Sequence, residues 1–155
     1  MDTIKHEPER SDCCSRHAGV QALAEPLSSG GKLVSLTLED NCLGHGGAVA
    51  LGGLLARSTM LTSLRVLRNE IGGHGTAAIC DGAAGLRALS IHHDELGAHG
   101  AEALATVLRA DGCALAELTL QRAGLGPGGV VGLAAGLAEN TSLTSLDVSA
   151  SQPMQ

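Results

Sequence analysis

LTSLRVLRNEIGGHG, residues 61–75, places apolar side chains at Leu61, Leu64, Val66 and Ile71, an asparagine at Asn69, and glycines at Gly72 and Gly75. The same spacing occurs earlier as Leu33, Leu36, Leu38, Asn41, Leu43, Gly44 and Gly47. It returns as Leu86, Leu89, Ile91, Asp94, Leu96, Gly97 and Gly100, and again as Leu115, Leu118, Leu120, Ala123, Leu125, Gly126 and Gly129. A fifth copy begins with Leu143, Leu146 and Val148. Successive starts are 28, 25, 29 and 28 residues apart. A composite pattern at a nearly constant period is the signature of a stacked array of supersecondary units.

Each part of the unit has a physical reason. The LxxLxL segment alternates, which predicts a short strand with its leucines turned inward and the residues between them turned out. Strands of neighbouring units are expected to lie parallel at about 4.7–4.9 Å. Asn at the ninth position can bond free backbone groups where the chain leaves the strand, and the glycines after it permit a tight reversal into a helix. An Ala/Leu/Val-rich helix then packs back over the strands. No unit can bury its apolar face alone, so the units must stack.

The LxxLxLxxN-x-L/I signature resembles the leucine-rich repeat family. The following GxxG and Ala/Leu-rich segment look like its long ribonuclease-inhibitor-like subfamily. The resemblance implies a curved, right-handed α/β solenoid with parallel strands on the concave face and helices on the convex face. Members of the subfamily occur in inhibitors, innate immune receptors and GTPase regulators, among them the Ran GTPase-activating protein.

The chain of 155 residues has no Phe, Tyr or Trp, so its core must be aliphatic. A formal charge of −6 argues against non-specific nucleic-acid binding, which needs clustered Lys and Arg. The lack of aromatics also removes stacking platforms for single strands. The opening MDTIKHEPER has no apolar stretch of the secretory type, and the weakly polar run 123–138 is too short and glycine-rich for a membrane span. Five cysteines (Cys13, Cys14, Cys42, Cys80, Cys113) without C-x-x-C spacing fit a reduced, cytoplasmic protein.

Residues 1–16 lack periodicity and are read as a disordered lead-in. The solenoid is expected over 17–151: a half repeat at 17–32, full repeats at 33–60, 61–85, 86–114 and 115–142, and a partial repeat at 143–151, before a tail at 152–155. Pro26 should end or bend the helix of the half repeat. Repeat 61–85 is short and glycine-rich, which predicts the shortest helix there. No polar cap is evident after the fifth strand, which leaves an open edge available for self-association.

Gly124-x-Gly126-x-x-Gly129 fits the dinucleotide fingerprint, with Asp147 downstream. Gly126 and Gly129 nevertheless recur at the same place in every copy, so turn chemistry explains them and no cofactor is expected. Gly31-Lys32 is followed by Leu33, which rules out a phosphate-binding loop of the P-loop type. His45, His74 and His99 fall at matching positions and should line one edge near the helix starts. No carboxylate or Cys sits at matching spacing, and no metal site is expected. No nucleophile and base are brought together, so the chain is not expected to be an enzyme.

The functional expectation is therefore a scaffold for protein binding. Positions 3, 5, 7 and 8 of each unit form the exposed strand surface and its rim. The candidate partner-binding residues are Glu39, Asp40, Arg65, Leu67, Arg68, His92, His93, Gln121 and Arg122. Arg65, Arg68, His92, His93 and Arg122 are expected to cluster as a basic spot around an exposed Leu67, suited to an acidic protein partner. Neither nucleic acid nor membrane is an expected partner. A GTPase regulator and a terminal fragment of a larger receptor are the alternative readings.

Overall fold

The computed structural model describes residues 20, 22 and 32–150. Within them the chain alternates strand and helix: β1 (Ser35–Glu39), α1 (Gly44–Arg57), β2 (Ser63–Leu67), α2 (Gly72–Asp81), β3 (Ala88–His92), α3 (Gly97–Arg109), β4 (Glu117–Thr119), α4 (Gly126–Glu139) and β5 (Ser145–Asp147). The strands form one all-parallel sheet in the order β1-β2-β3-β4-β5. The expected lead-in at 1–16, the half repeat at 17–32 and the tail at 152–155 lie outside the described residues, apart from Val20, Ala22 and Lys32. Val20 belongs to the buried core.

Register follows the repeat spacing without a slip. Leu36 pairs with Leu64, Leu64 with Leu89, Leu89 with Leu118 and Leu118 with Leu146. Leu64, Leu89 and Leu118 join Leu51, Leu54, Ile79, Leu104 and Leu108 from the helices in one aliphatic core, with Leu36 packed against it, Leu64 fully enclosed and Leu89 1% exposed. Inward burial weakens toward both ends. Leu36 and Leu38 are half-buried, and Leu146, expected inward, is 39% exposed. β5 has a strand neighbour on one side only among the described residues, so its inward leucine lacks part of its cover.

α2 has 10 residues against 14, 13 and 14 in α1, α3 and α4, as the short second repeat requires. It packs closely against α1. A Cβ on Gly52 of α1 would lie 2.0 Å from the Ala78 carbonyl oxygen, and one on Gly82 would lie 2.1 Å from the Gly52 oxygen. Both positions are thereby restricted to glycine. After Gly82 a single 3₁₀ turn, Ala83–Gly85, delivers the chain to β3.

Each α-helix begins after the same kink. Gly44, Gly72, Gly97 and Gly126 have φ of +56°, +62°, +56° and +63°, a left-handed conformation that side chains rarely adopt. This conformation accounts for Gly126 of the apparent dinucleotide motif. Gly129 is accounted for by packing: a Cβ there would meet the Cβ of Ala101 at 3.2 Å.

Candidate interaction surface

The sheet register that buries the leucines also aligns the residues between them. Thr37, Arg65, Ser90, Thr119 and Asp147 form one row, and Ser35, Ser63, Ala88, Glu117 and Ser145 another. Their side chains are exposed or half-buried throughout. The helices contribute to the core with the leucines on the other side, so this outward surface runs uninterrupted across five strands.

The rim just past the strands is built from strained backbone. Asp40, Arg68, His93, Arg122 and Ala150 occupy the eighth position of successive units and have φ between 50° and 56°. The first four donate their backbone N–H to the carbonyl at the seventh position of the next unit, at 3.0–3.1 Å. These bonds offset the roughly 1 kcal/mol that a non-glycine left-handed residue costs. The turn thus throws the eighth side chain outward, where it stands exposed.

The next position carries a polar ladder. Asn69, fully buried, accepts the Asn41 N–H at Oδ1 (3.0 Å) and donates through Nδ2 to the carbonyls of Leu38 (2.9 Å) and Leu67 (2.8 Å). Asp94 takes the same place one unit on, with acceptors only: it receives Ile71 N–H at 2.8 Å and Asn69 N–H at 3.5 Å. Burial pushes the Asp94 carboxyl up from its ordinary value, and the backbone N–H groups around it resist that shift. Ala123 contributes no side-chain bond; its carbonyl accepts the Leu96 N–H at 2.9 Å instead.

The candidate residues do reach the outward surface and its rim, but not as the basic spot expected. Arg68 is engaged by its neighbours. Its Nε and Nη2 grip both Asp40 oxygens at 2.8 Å, and Nη2 also reaches Glu39. The Arg68 guanidinium holds the Asp40 carboxyl below its usual range. Glu39, Asp40 and Arg68 are therefore a compensated cluster. Leu67, expected exposed, is half-buried. Gln121 donates through Nε2 to Asp147 at 2.7 Å, and this bond holds the Asp147 carboxyl below its usual range. Arg65 and Arg122 are exposed and make no ion pair among the described residues. His92 is half-buried; desolvation, then Arg65 and His93, lowers its pKa. Together with Glu117 and Asp147 the surface is a mosaic of both signs, not a cationic patch.

Two of these departures were readable in principle. Asp40 and Arg68 hold the same place in consecutive units, so opposite charges at that spacing must meet. Asp147 lies in the row of Arg65 and Thr119 by the same count, whereas its place downstream of the glycines suggests only a nucleotide ligand.

His45, His74 and His99 form the expected column at the starts of α1, α2 and α3. The His74 and His99 ring centroids are 4.4 Å apart, and those of His45 and His74 6.4 Å. No group of three or more metal-ligating side chains with the geometry of a metal site occurs among the described residues. Nor, among them, is any helix long and apolar enough to cross a membrane. No protein-family model matches the chain, and no curated protein matches it.

Proposed function

We propose that the chain is a leucine-rich-repeat solenoid of the ribonuclease-inhibitor-like kind and works as a protein-interaction module. In this reading the solenoid is right-handed, its concave strand surface docks the partner, and the helices form the convex side. One observation carries the proposal: five strands in unbroken register present two rows of outward side chains with no element of the described chain over them. A surface of that extent suits an extended macromolecular partner, because rotation from unit to unit creates such docking surfaces in repeat proteins. Within it, Arg65 and Arg122, which make no ion pair among the described residues, offer guanidinium groups to carboxylates of the partner, Arg being enriched at interface hot spots.

The test is capture of a partner, followed by mapping. Arg65→Glu with Arg122→Glu is expected to weaken binding at least about tenfold, roughly 1.4 kcal/mol. Glu102→Arg, on the exposed side of α3, is expected to leave it unchanged. Binding lost through Glu102→Arg and kept in the double Arg variant would place the interface on the helices and defeat the proposal.

A further inference from the structure

The short second repeat leaves a hollow. α2 stops at Asp81 and its 3₁₀ turn at Gly85, whereas α3 runs on to Arg109 and is followed by a loop turning at Gly112, with φ +76°. Between the two ends lies an open pocket of about 120 Å³, lined by Cys80, Ala83, Ala84, Val107, Ala110, Gly112, Cys113 and Ala114, with Asp81 and Asp111. Cys80 and Ala83 are buried, Val107 and Cys113 half-buried, and both carboxylates exposed. Burial pushes the Cys80 thiol up to about 12, with Asp81 adding to the shift, so Cys80 is a neutral, apolar part of the wall.

The wall chemistry is asymmetric. Alanines, a valine and two thiols supply apolar contact, and the two charged groups that line the pocket are both carboxylates. Neither Asp81 nor Asp111 has an ion-pair partner among the described residues. Both carboxylates are exposed and keep their water, so a neutral ligand costs them nothing, whereas they repel an anion and attract a cation. A short aliphatic chain ending in an ammonium group satisfies both parts. Its methylenes would cover the alanines and Val107, and its charge would stand at the exposed carboxylates.

We propose that this pocket is a binding site for a small alkylammonium ligand, with Ala83, Ala84 and Val107 taking the aliphatic chain and Asp81 and Asp111 the positive charge. The site is separate from the strand surface and does not depend on the function proposed for it.

Cys113 lines the pocket and reports on its occupancy. The full chain would be treated with iodoacetamide, and alkylation of each cysteine followed by peptide mass spectrometry. Half-buried Cys42, before α1, serves as internal reference. Hexylammonium at about 10 mM is expected to slow Cys113 alkylation at least about threefold without slowing that of Cys42, weak binding being normal for so small a ligand. The neutral isostere 1-hexanol should protect Cys113 less. In the Asp81→Asn, Asp111→Asn double variant, the difference between the two compounds should vanish. Both positions are exposed, so the variant is expected to melt like the natural chain. Three results would overturn the proposal: no protection by hexylammonium, equal protection by hexanol in the natural chain, or equal slowing at Cys42.

Discussion

Asn69 and Asp94 hold the same place in consecutive units and wire it differently. Asn69 both donates and accepts, so all three of its bonds are made without charge. Asp94 can only accept while ionised, and burial raises its pKa above the usual 3.8. A carboxyl with a raised folded pKa keeps its proton in the folded state after the unfolded chain has released it. Stability therefore falls as pH rises from the unfolded value through the raised one. Asp94→Asn removes that loss. In denaturant melts, the variant's stability relative to the natural chain should be higher at about pH 7 than at about pH 3. A difference that stays flat or shrinks with rising pH would show that the N–H groups of Ile71 and Asn69 outweigh burial. The enclosed leucines give a simpler expectation. Leu64→Ala or Leu89→Ala should cost about 2–5 kcal/mol, the lost transfer energy plus a cavity. A loss below about 0.5 kcal/mol in the same melts would contradict their place in the core.

Among the elements, α1 shows how neighbouring glycines differ in meaning. Gly52 faces α2, where an added Cβ would sit 2.0 Å from a backbone oxygen that cannot yield without moving its helix. Gly53 faces outward with nothing within 4 Å of an added Cβ. Gly52→Ala should therefore destabilise by at least about 2 kcal/mol. Gly53→Ala should stabilise by about 0.5–1 kcal/mol through helix propensity. Thermal or denaturant melts of the two single variants check both signs, and equal effects would mean that α1 and α2 are less closely packed. The sequence spacing identified α2 as the short helix, because three residues were missing from its period. Periodicity could not show that Gly52 and Gly82 are the contact points, since closeness across units depends on where each helix face turns. The rim shows the same division. Position 8 was readable as exposed, yet its left-handed backbone carries no residue signature: Asp, Arg, His, Arg and Ala all adopt it.

In the whole molecule, a net charge of −6 coexists with two guanidinium groups on the outward strand surface, Arg65 and Arg122, that make no ion pair among the described residues. If that surface binds an acidic partner, affinity should fall as ionic strength rises, because exposed charges are screened within about 10 Å at 0.1 M salt. Titration of the partner at several salt concentrations checks this. The slope should flatten in the Arg65→Glu, Arg122→Glu variant, and an unchanged slope would assign the salt dependence to other residues. Arg65, Leu67, His92 and Gln121 lie at the outward positions that a period of two along a strand assigns, though Leu67, expected exposed, is half-buried, and Arg122 stands exposed through the left-handed turn at the rim. Arg68, expected in a basic spot, is instead paired with the neighbouring unit's Asp40, which linear distance hides.

The order of residues was enough to determine the alternation of strand and helix, the parallel register and the inward leucines, since a 25–29-residue period and a two-residue alternation are written directly into the chain. Two things were settled only by packing: the glycine contact between α1 and α2, and the hollow beside Cys80 and Cys113. Each joins atoms of different units, and their separation depends on how closely one unit lies against the next. That spacing is a property of assembled volume and backbone geometry, which no single repeat contains.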